Sequence, residues 1–214
     1  GCKIVDGDNR YHAILGNRGP AKFVNASRLA PALITLGAKV RLLGPDPDHE
    51  QWLELSDLYQ TPASDAEREN ALEPGQLVTH LVIPPHEGQL SAAYEVRHGE
   101  GPDQPLASAA VNVDIRNGRV SRARIALGHV APTPWLADRA AESLRGKPIT
   151  EESASIAGLE ATAGAIALSQ NEYKIQLAQV AVKRALLKAV GHEIGGLDRP
   201  VTREPSQSHQ THMA

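Results

Sequence analysis

The dipeptide Asn117-Gly118 is the sequence feature that most constrains the fold. It separates residues 111–115, in which apolar and polar residues alternate, from a second β-prone run at residues 119–127. Asn-Gly readily adopts the left-handed backbone angles that a two-residue turn between antiparallel strands requires. These residues therefore predict a β-hairpin, and the alternation of Tyr94 and Val96 predicts a third strand beside it.

Helical signals follow the predicted sheet. Thr133-Pro134 offers a cap and a first-turn proline for one helix, which Gly146 and Pro148 would end. Thr150 precedes two acidic residues and predicts the start of a second helix, because carboxylates are favourable in a first turn.

The last predicted helix has the strongest periodicity in the chain. Ser169 and Glu172 have capping-box spacing and predict its start. Aromatic residues make up only 3% of the chain, so aliphatic side chains must form the hydrophobic cores of the protein. The predicted buried stripe recurs in steps of three and four residues and consists of Ala178, Ala181, Val182, Ala185, Leu186 and Ala189.

Residues 1–87 mix strands with a short helix. Ser27 is placed to cap a helix through residues 29–36, and Gly37 is placed to end it. Pro74-Gly75 fits the central positions of a type II turn. The predicted strands of this part are residues 38–42, 51–55 and 77–83.

These patterns predict an α+β protein with three parts. Pro84-Pro85 ends a strand and marks a boundary between residues 1–87 and residues 88–192. Residues 193–214 carry Pro, Ser, Gln and His without periodicity, and we expect this tail to be disordered.

Composition argues against several classes of function. The net charge is −3 with dispersed basic residues, which argues against nucleic-acid binding. No apolar run reaches the length of a membrane span, which argues against a membrane protein. The single cysteine, Cys2, cannot form an intramolecular disulfide, and it favours a reducing compartment and a cytoplasmic location.

Motifs that carry catalytic chemistry are absent from the sequence. Nine histidines are present, but they form neither an HExxH pair nor a set with CxxC, so a metal-dependent hydrolase is the least favoured reading. GxSxG, GxGxxG and GxxxxGK[ST] are absent too. Motifs alone therefore leave an α+β protein of undefined role.

Five segments in order resemble one known family. They are GDNRYHAI at residues 7–14, SRLAPAL at 27–33, LEPGQLV at 72–78, YEVR at 94–97 and GHVAPTP at 128–134. Together they resemble the FAD-binding (medium) subunit of the xanthine dehydrogenase, or molybdenum hydroxylase, family. The resemblance implies an incomplete FAD-binding (PCMH-like) subdomain at residues 1–87. It also implies a three-stranded antiparallel sheet packed on a helix bundle, the carbon monoxide dehydrogenase flavoprotein C-terminal domain, at residues 88–192.

The resemblance implies electron transfer by FAD within a multisubunit oxidoreductase. The expected partners are an iron–sulfur subunit and a molybdenum-cofactor subunit. The family's phosphate-binding glycine loop lies in an amino-terminal subdomain that has no counterpart here, so we expect a fragment that is inactive alone and does not bind FAD alone. The alternative is a non-catalytic module that docks partner subunits and has lost flavin binding.

The resemblance also implies site residues. Those expected near the flavin are Asn9, Arg10, Ser27, Leu77 and Val78. Arg28 stands where the family has an aspartate that accepts hydrogen bonds from FAD, so that contact cannot be retained. Arg28 is expected either to pair with a phosphate or to lie solvated, and solvation is favoured.

Cys2 matches the last cysteine of an optional 4Fe-4S insertion in this family. Such a cluster needs about four cysteine ligands. Cys2 is therefore interpreted as a remnant of the ligand set, which only the complete subunit would hold.

Overall fold

The computed structural model describes residues 7–46, 48–99 and 103–194. Cys2 and residues 195–214 of the tail lie outside the described residues. The elements in the described part are strands β1 (Lys39–Leu43), β2 (Glu50–Glu54), β3 (Leu77–Val82), β4 (Leu90–Val96), β5 (Ala107–Arg116), β6 (Arg119–Gly128) and β7 (Trp135–Leu136), helices α1 (Ala30–Thr35), α2 (Asp138–Ser143), α3 (Glu151–Ala161) and α4 (Tyr173–Ala189), and a 3-10 turn (Leu55–Leu58).

The first sheet is antiparallel, with strand order β2-β1-β3. Val40 and Leu42 of the central strand point into a small core with Ile34 of α1. The Ser27 hydroxyl accepts the Ala30 N–H at 3.0 Å, and Gly37 ends α1 with a φ of +74°. The four predicted elements of this part therefore form within one residue of their expected bounds.

The second sheet is antiparallel, with strand order β4-β5-β6-β7. Asn117 and Gly118 join β5 to β6 with φ angles of 52° and 74°, as the predicted two-residue hairpin requires. The predicted α+β class with antiparallel sheets is confirmed, and the short strand β7 adds a fourth member to this sheet.

The expected helix start at Thr133-Pro134 is wrong. The next residues, Trp135 and Leu136, pair with β6, and the helix begins only at Asp138. The edge of β6 lies directly beside this segment, and an extended chain satisfies the backbone groups of that edge where a helix would not.

Two predicted helices form and cross at close range. Thr150 and Ser153 make a reciprocal capping box at the start of α3, which confirms that prediction. The predicted Ser169–Glu172 capping box is wrong, since Glu172 makes no cap with its side chain. A Cβ atom at Gly158 of α3 would lie 2.7 Å from the Gln179 carbonyl oxygen of α4, so the two helices touch through glycine.

Residues near the amino terminus complete the core of the second sheet. Ile14 and Leu15 are buried among the strands and helices of residues 107–187. Their N–H groups donate to the Val130 carbonyl at 2.9 and 3.0 Å, and the Ile14 carbonyl accepts from Ile166 at 2.7 Å. The amino-terminal segment therefore packs between β6 and the α3–α4 connection.

No helix in the part of the chain that the structure describes has the length and apolarity needed to cross a bilayer.

Ala185 tests the buried face of α4. Ala185 is fully buried, so Ala185→Asp should lower the free energy of unfolding by several kcal/mol, about 3 or more, because an unpaired charge would be buried. Gln176→Asp, at an exposed position of the same helix, is the control and should change stability by less than about 1 kcal/mol. Urea denaturation measures both. Equal effects would mean that the helix face is misassigned.

Candidate functional site

A cavity of about 430 Å³ lies where the amino-terminal segment, the β4–β5 connection and the start of α4 meet. Its volume falls within the roughly 300–1,000 Å³ range of small-molecule sites. Most of the lining surface is apolar, and a few polar side chains interrupt it, which also suits such a site. The described lining residues are Tyr11, Val24, Ala26, His98, Asp103, Gln104, Pro105, Leu106, His129 and Lys174.

Lys174 reaches the cavity from the first turn of α4 and is almost completely buried. Its ammonium donates to the carbonyl oxygens of Tyr11 at 2.9 Å, His12 at 3.1 Å and His129 at 2.7 Å. Burial lowers the pKa of Lys174 to about 8, so the side chain remains mostly protonated at neutral pH. The cavity therefore has a fixed positive charge in its wall.

His129 forms another part of the wall and is also buried. Its ring nitrogens lie 3.2 Å from Ser108 Oγ and 3.2 Å from Gln104 Oε1. Burial lowers the pKa of His129, and the nearby Lys174 charge acts in the same direction. The φ of 63° is uncommon for a residue other than glycine, and the hydrogen bond from Lys174 to the His129 carbonyl supports this conformation.

Arg28 is exposed, as expected, and it also forms an ion pair with Glu95. Its Nε and Nη2 donate to the two carboxylate oxygens of Glu95 at 2.9 and 2.6 Å. Arg97 donates to the same carboxylate at 2.9 Å. Burial raises the pKa of Glu95, but the hydrogen bonds from both guanidinium groups outweigh it and lower the pKa overall. Two cations share one anion, so this group has a net positive charge.

Three residues predicted to lie near the flavin are not among the described lining residues of the cavity, and each has a partner elsewhere. Asn9 is buried and links the amino-terminal segment to the α3–α4 connection, because its amide bonds Ser169 Oγ at 2.7 Å and the Gln170 N–H at 2.8 Å. Arg10 forms an exposed ion pair with Asp8. Ser27 caps α1.

Leu77 and Val78 lie on a different surface, at the free edge of the first sheet. Leu77 is 68% exposed and Val78 is 42% exposed. Neighbours on or just after the same strand, Leu81, Val82 and Ile83, are between 44% and 52% exposed. Both faces of β3 are therefore open, and the five predicted residues do not meet at one point in the described structure.

Lys174 and Gln104 were missed as site residues by sequence reasoning. The helical spacing indicates the position of Lys174. It precedes Ala178, Ala181 and Ala185 by whole helical turns, so it must face the same buried side of α4. A lysine on an apolar stripe requires buried acceptors. His129 was expected to bond backbone, and its ring does so at Ala26, while it also contacts side chains of β5 and the preceding loop.

Among the described residues, no three His, Cys, Asp or Glu side chains are grouped so that they could hold an ion. The ligand predicted at Cys2 lies outside that part of the chain.

Residues 92–189 match the family model of the CO dehydrogenase flavoprotein C-terminal domain. They comprise most of β4 and all of β5, β6, β7, α2, α3 and α4, including Lys174, Gln104 and His129 of the cavity.

Similarity to curated proteins extends over most of the chain. The aldehyde oxidoreductase FAD-binding subunit PaoB of Escherichia coli (strain K12) is 27% identical over 88% of this chain and 56% of its own length. The carbon monoxide dehydrogenase medium chain of Afipia carboxidovorans is 30% identical over 87% of this chain and 63% of its own length. The chain thus spans between about half and two thirds of the length of these two relatives.

Solved structures show the same likeness. Reconstituted CO dehydrogenase from Oligotropha carboxidovorans superimposes with a TM-score of 0.65 at 28% identity, covering 77% of this chain and 56% of that one. CO dehydrogenase from Hydrogenophaga pseudoflava gives a TM-score of 0.64 at 29% identity, covering 75% of this chain and 55% of that one. The iron–sulfur ligand predicted at Cys2 has no support from these relatives.

Lys174 provides a test of the cavity wall. Lys174→Met should lower the free energy of unfolding by about 2–4 kcal/mol, because buried carbonyl oxygens lose their donor. Lys183 is on the same helix as Lys174 and forms a partly exposed ion pair with Glu151 of α3. Lys183→Met, which removes this pair, should cost less than about 1 kcal/mol. Urea denaturation measures both. Equal losses would contradict the role assigned to Lys174.

The lowered pKa of His129 predicts that the free energy of unfolding depends on pH. Its pKa is lowered in the folded state, so below about pH 6.5 the unfolded chain binds a proton that the folded chain does not. The contribution of neutral His129 to stability is present at pH 7.5 and should be lost as the pH falls toward 5. His129→Asn should reduce this loss, whereas His80→Asn at an exposed histidine should leave it unchanged. Urea denaturation at both pH values measures the difference, and identical pH profiles would refute the assignment.

Proposed function

We propose that this chain supplies one wall of the FAD site in the electron-transferring flavin subunit of a molybdenum hydroxylase. The cavity formed by Lys174, His129 and Gln104 carries the proposal, because it lies largely within the region that matches a flavoprotein domain. A relative named as a FAD-binding subunit is similar to 88% of this chain. In this proposal the cavity receives the isoalloxazine ring.

The residues present suit the ring of the cofactor. FAD, when bound, accepts electrons and passes them on. Tyr11 and Leu106 offer apolar surface that excludes water, and the Gln104 amide can orient polar edges of a ring. The Lys174 ammonium keeps positive charge in the wall, which favours electron-rich ring atoms.

The phosphates of FAD require a second source of donors. Neither the sequence nor the described loops contain a glycine-rich phosphate cradle. The chain also spans only 56% and 63% of the two relatives. We infer that further polypeptide provides the phosphate site, and that the exposed strand β3, with Leu77 and Val78, contacts this polypeptide or the cofactor.

The proposed partners are an iron–sulfur subunit that delivers electrons and a molybdenum-cofactor subunit that oxidises the substrate. A second candidate function, docking of subunits without flavin, is favoured by the exposed apolar residues of β3. A flavin absorption band in the assembled complex would distinguish the first function from the second.

Reconstitution tests the flavin site. The 214-residue chain alone should not quench FAD fluorescence at micromolar concentration, since the phosphates lack donors. Mixing the chain with the part of E. coli PaoB outside the matched region should restore binding. Leu106→Glu, in the cavity wall, should weaken the restored binding at least about tenfold, because a carboxylate would be buried against the ring.

Leu159→Glu is the matched control, because this leucine of α3 is 58% exposed and does not line the cavity. It should leave the restored affinity unchanged. Equal loss in both leucine variants would place the ring elsewhere. Tight binding of FAD by the chain alone would show that the chain contains its own phosphate site.

A further inference from the structure

A second cavity, of about 280 Å³, lies between the two sheets and is separate from the proposed flavin site. Its walls come from the end of α1, the β3–β4 connection and the outer face of β5 and β6. The residues that matter for its chemistry are Gly37, His86, Asn112, Asp114, Arg122 and Arg124.

Arg122 and Arg124 give this cavity two positive charges. They are two residues apart on β6 and therefore point to the same face of the sheet. Across residues 7–46, 48–99 and 103–194, neither guanidinium has a carboxylate or carbonyl oxygen within hydrogen-bonding distance. Arg124 is half-buried and lies against Gly37, where an added Cβ would be 2.8 Å from its Nη1. A half-buried guanidinium gains most from an anion that bonds it directly.

Asp114 also lines the cavity, but its carboxylate pairs with neither arginine. Asp114 lies across from Arg122 in the strand register, but its carboxylate is 3.6 Å from Arg116 Nη2. No Asp114 oxygen lies within 4 Å of Arg122 or Arg124. The two arginines thus remain available to an incoming anion.

The side-chain oxygen of Asn112 is a hydrogen-bond acceptor to which no group donates. His86 Nδ1 donates to the Pro84 carbonyl at 2.8 Å, so its Nε2 accepts from Asn112 Nδ2 at 3.1 Å. The same amide nitrogen donates to the Thr35 carbonyl at 3.2 Å. These contacts fix the amide orientation and leave Asn112 Oδ1 buried without a hydrogen-bond partner. A buried acceptor without a donor is costly and rare in native proteins.

We propose that this cavity binds a small oxyanion that also carries a hydroxyl donor. Arg122 and Arg124 hold the anionic oxygens, and the hydroxyl group donates to Asn112 Oδ1. Phosphate in its protonated forms and a hydroxycarboxylate share this chemistry, whereas a simple carboxylate lacks the donor. The site lies outside the flavin cavity and does not depend on the proposed electron transfer.

Calorimetric titration of the full 214-residue chain tests the site, with inorganic phosphate, malate and succinate as probes. Ionic strength is held constant with sodium chloride, because salt screens charge. Phosphate or malate should bind saturably with a Kd of roughly 1 mM or tighter, and malate should bind more tightly than succinate. A preference for phosphate would identify a phosphoryl ligand, and a preference for malate a hydroxycarboxylate.

Three variants sharpen the test. Arg124→Gln should weaken binding at least about tenfold, whereas Arg139→Gln, which removes an exposed arginine of α2, should not. Asn112→Asp keeps both arginines but places a carboxylate opposite Arg124 in the register, so it should abolish binding. Thermal unfolding confirms that each variant is folded. Absence of saturable binding, or equal affinities in Arg124→Gln and Arg139→Gln, would overturn the proposal.

Discussion

The Lys174 ammonium lies where three segments of the chain meet, and it donates to carbonyl oxygens of Tyr11, His12 and His129. An ammonium has three donors, so these contacts satisfy it and make its burial tolerable. They also fix the amino-terminal segment against α4 and the end of β6. The core contributed by Ile14 and Leu15, and the cavity beside Lys174, both depend on this position.

Charged residues connect the two parts of the chain in a second way. Arg28 precedes α1, and Glu95 lies on β4 of the second sheet, so their bidentate pair spans 67 positions of sequence. This ion pair is a direct contact between the segment before α1 and the second sheet. Arg122 and Arg124 differ because nothing in the described structure neutralises them. Arg28 therefore has a structural role, whereas Arg122 and Arg124 are the residues proposed to bind a ligand.

The two sheets are buried to very different degrees. Helices cover the second sheet, and its alanine-rich core permits close approach of α3 and α4 at Gly158. The first sheet has a small core beneath β1, while every residue of β3 is exposed. Apolar side chains at such an edge are usually covered by another polypeptide or a ligand. The exposed strand thus agrees with a subunit that works inside a larger assembly.

The sequence by itself determined the elements that depend on neighbouring residues. Asn117-Gly118 sets its own turn, Thr150 and Ser153 cap α3 locally, and the stripe through Ala178 and Ala185 follows from helical spacing. Only the tertiary structure decided contacts between distant residues. Trp135 joins a sheet because β6 offers an open edge, and Asn9, Arg28 and Lys174 take partners between 45 and 163 positions away. Local signals act through backbone geometry, whereas a buried polar group is satisfied by whichever partner the folded chain brings to it.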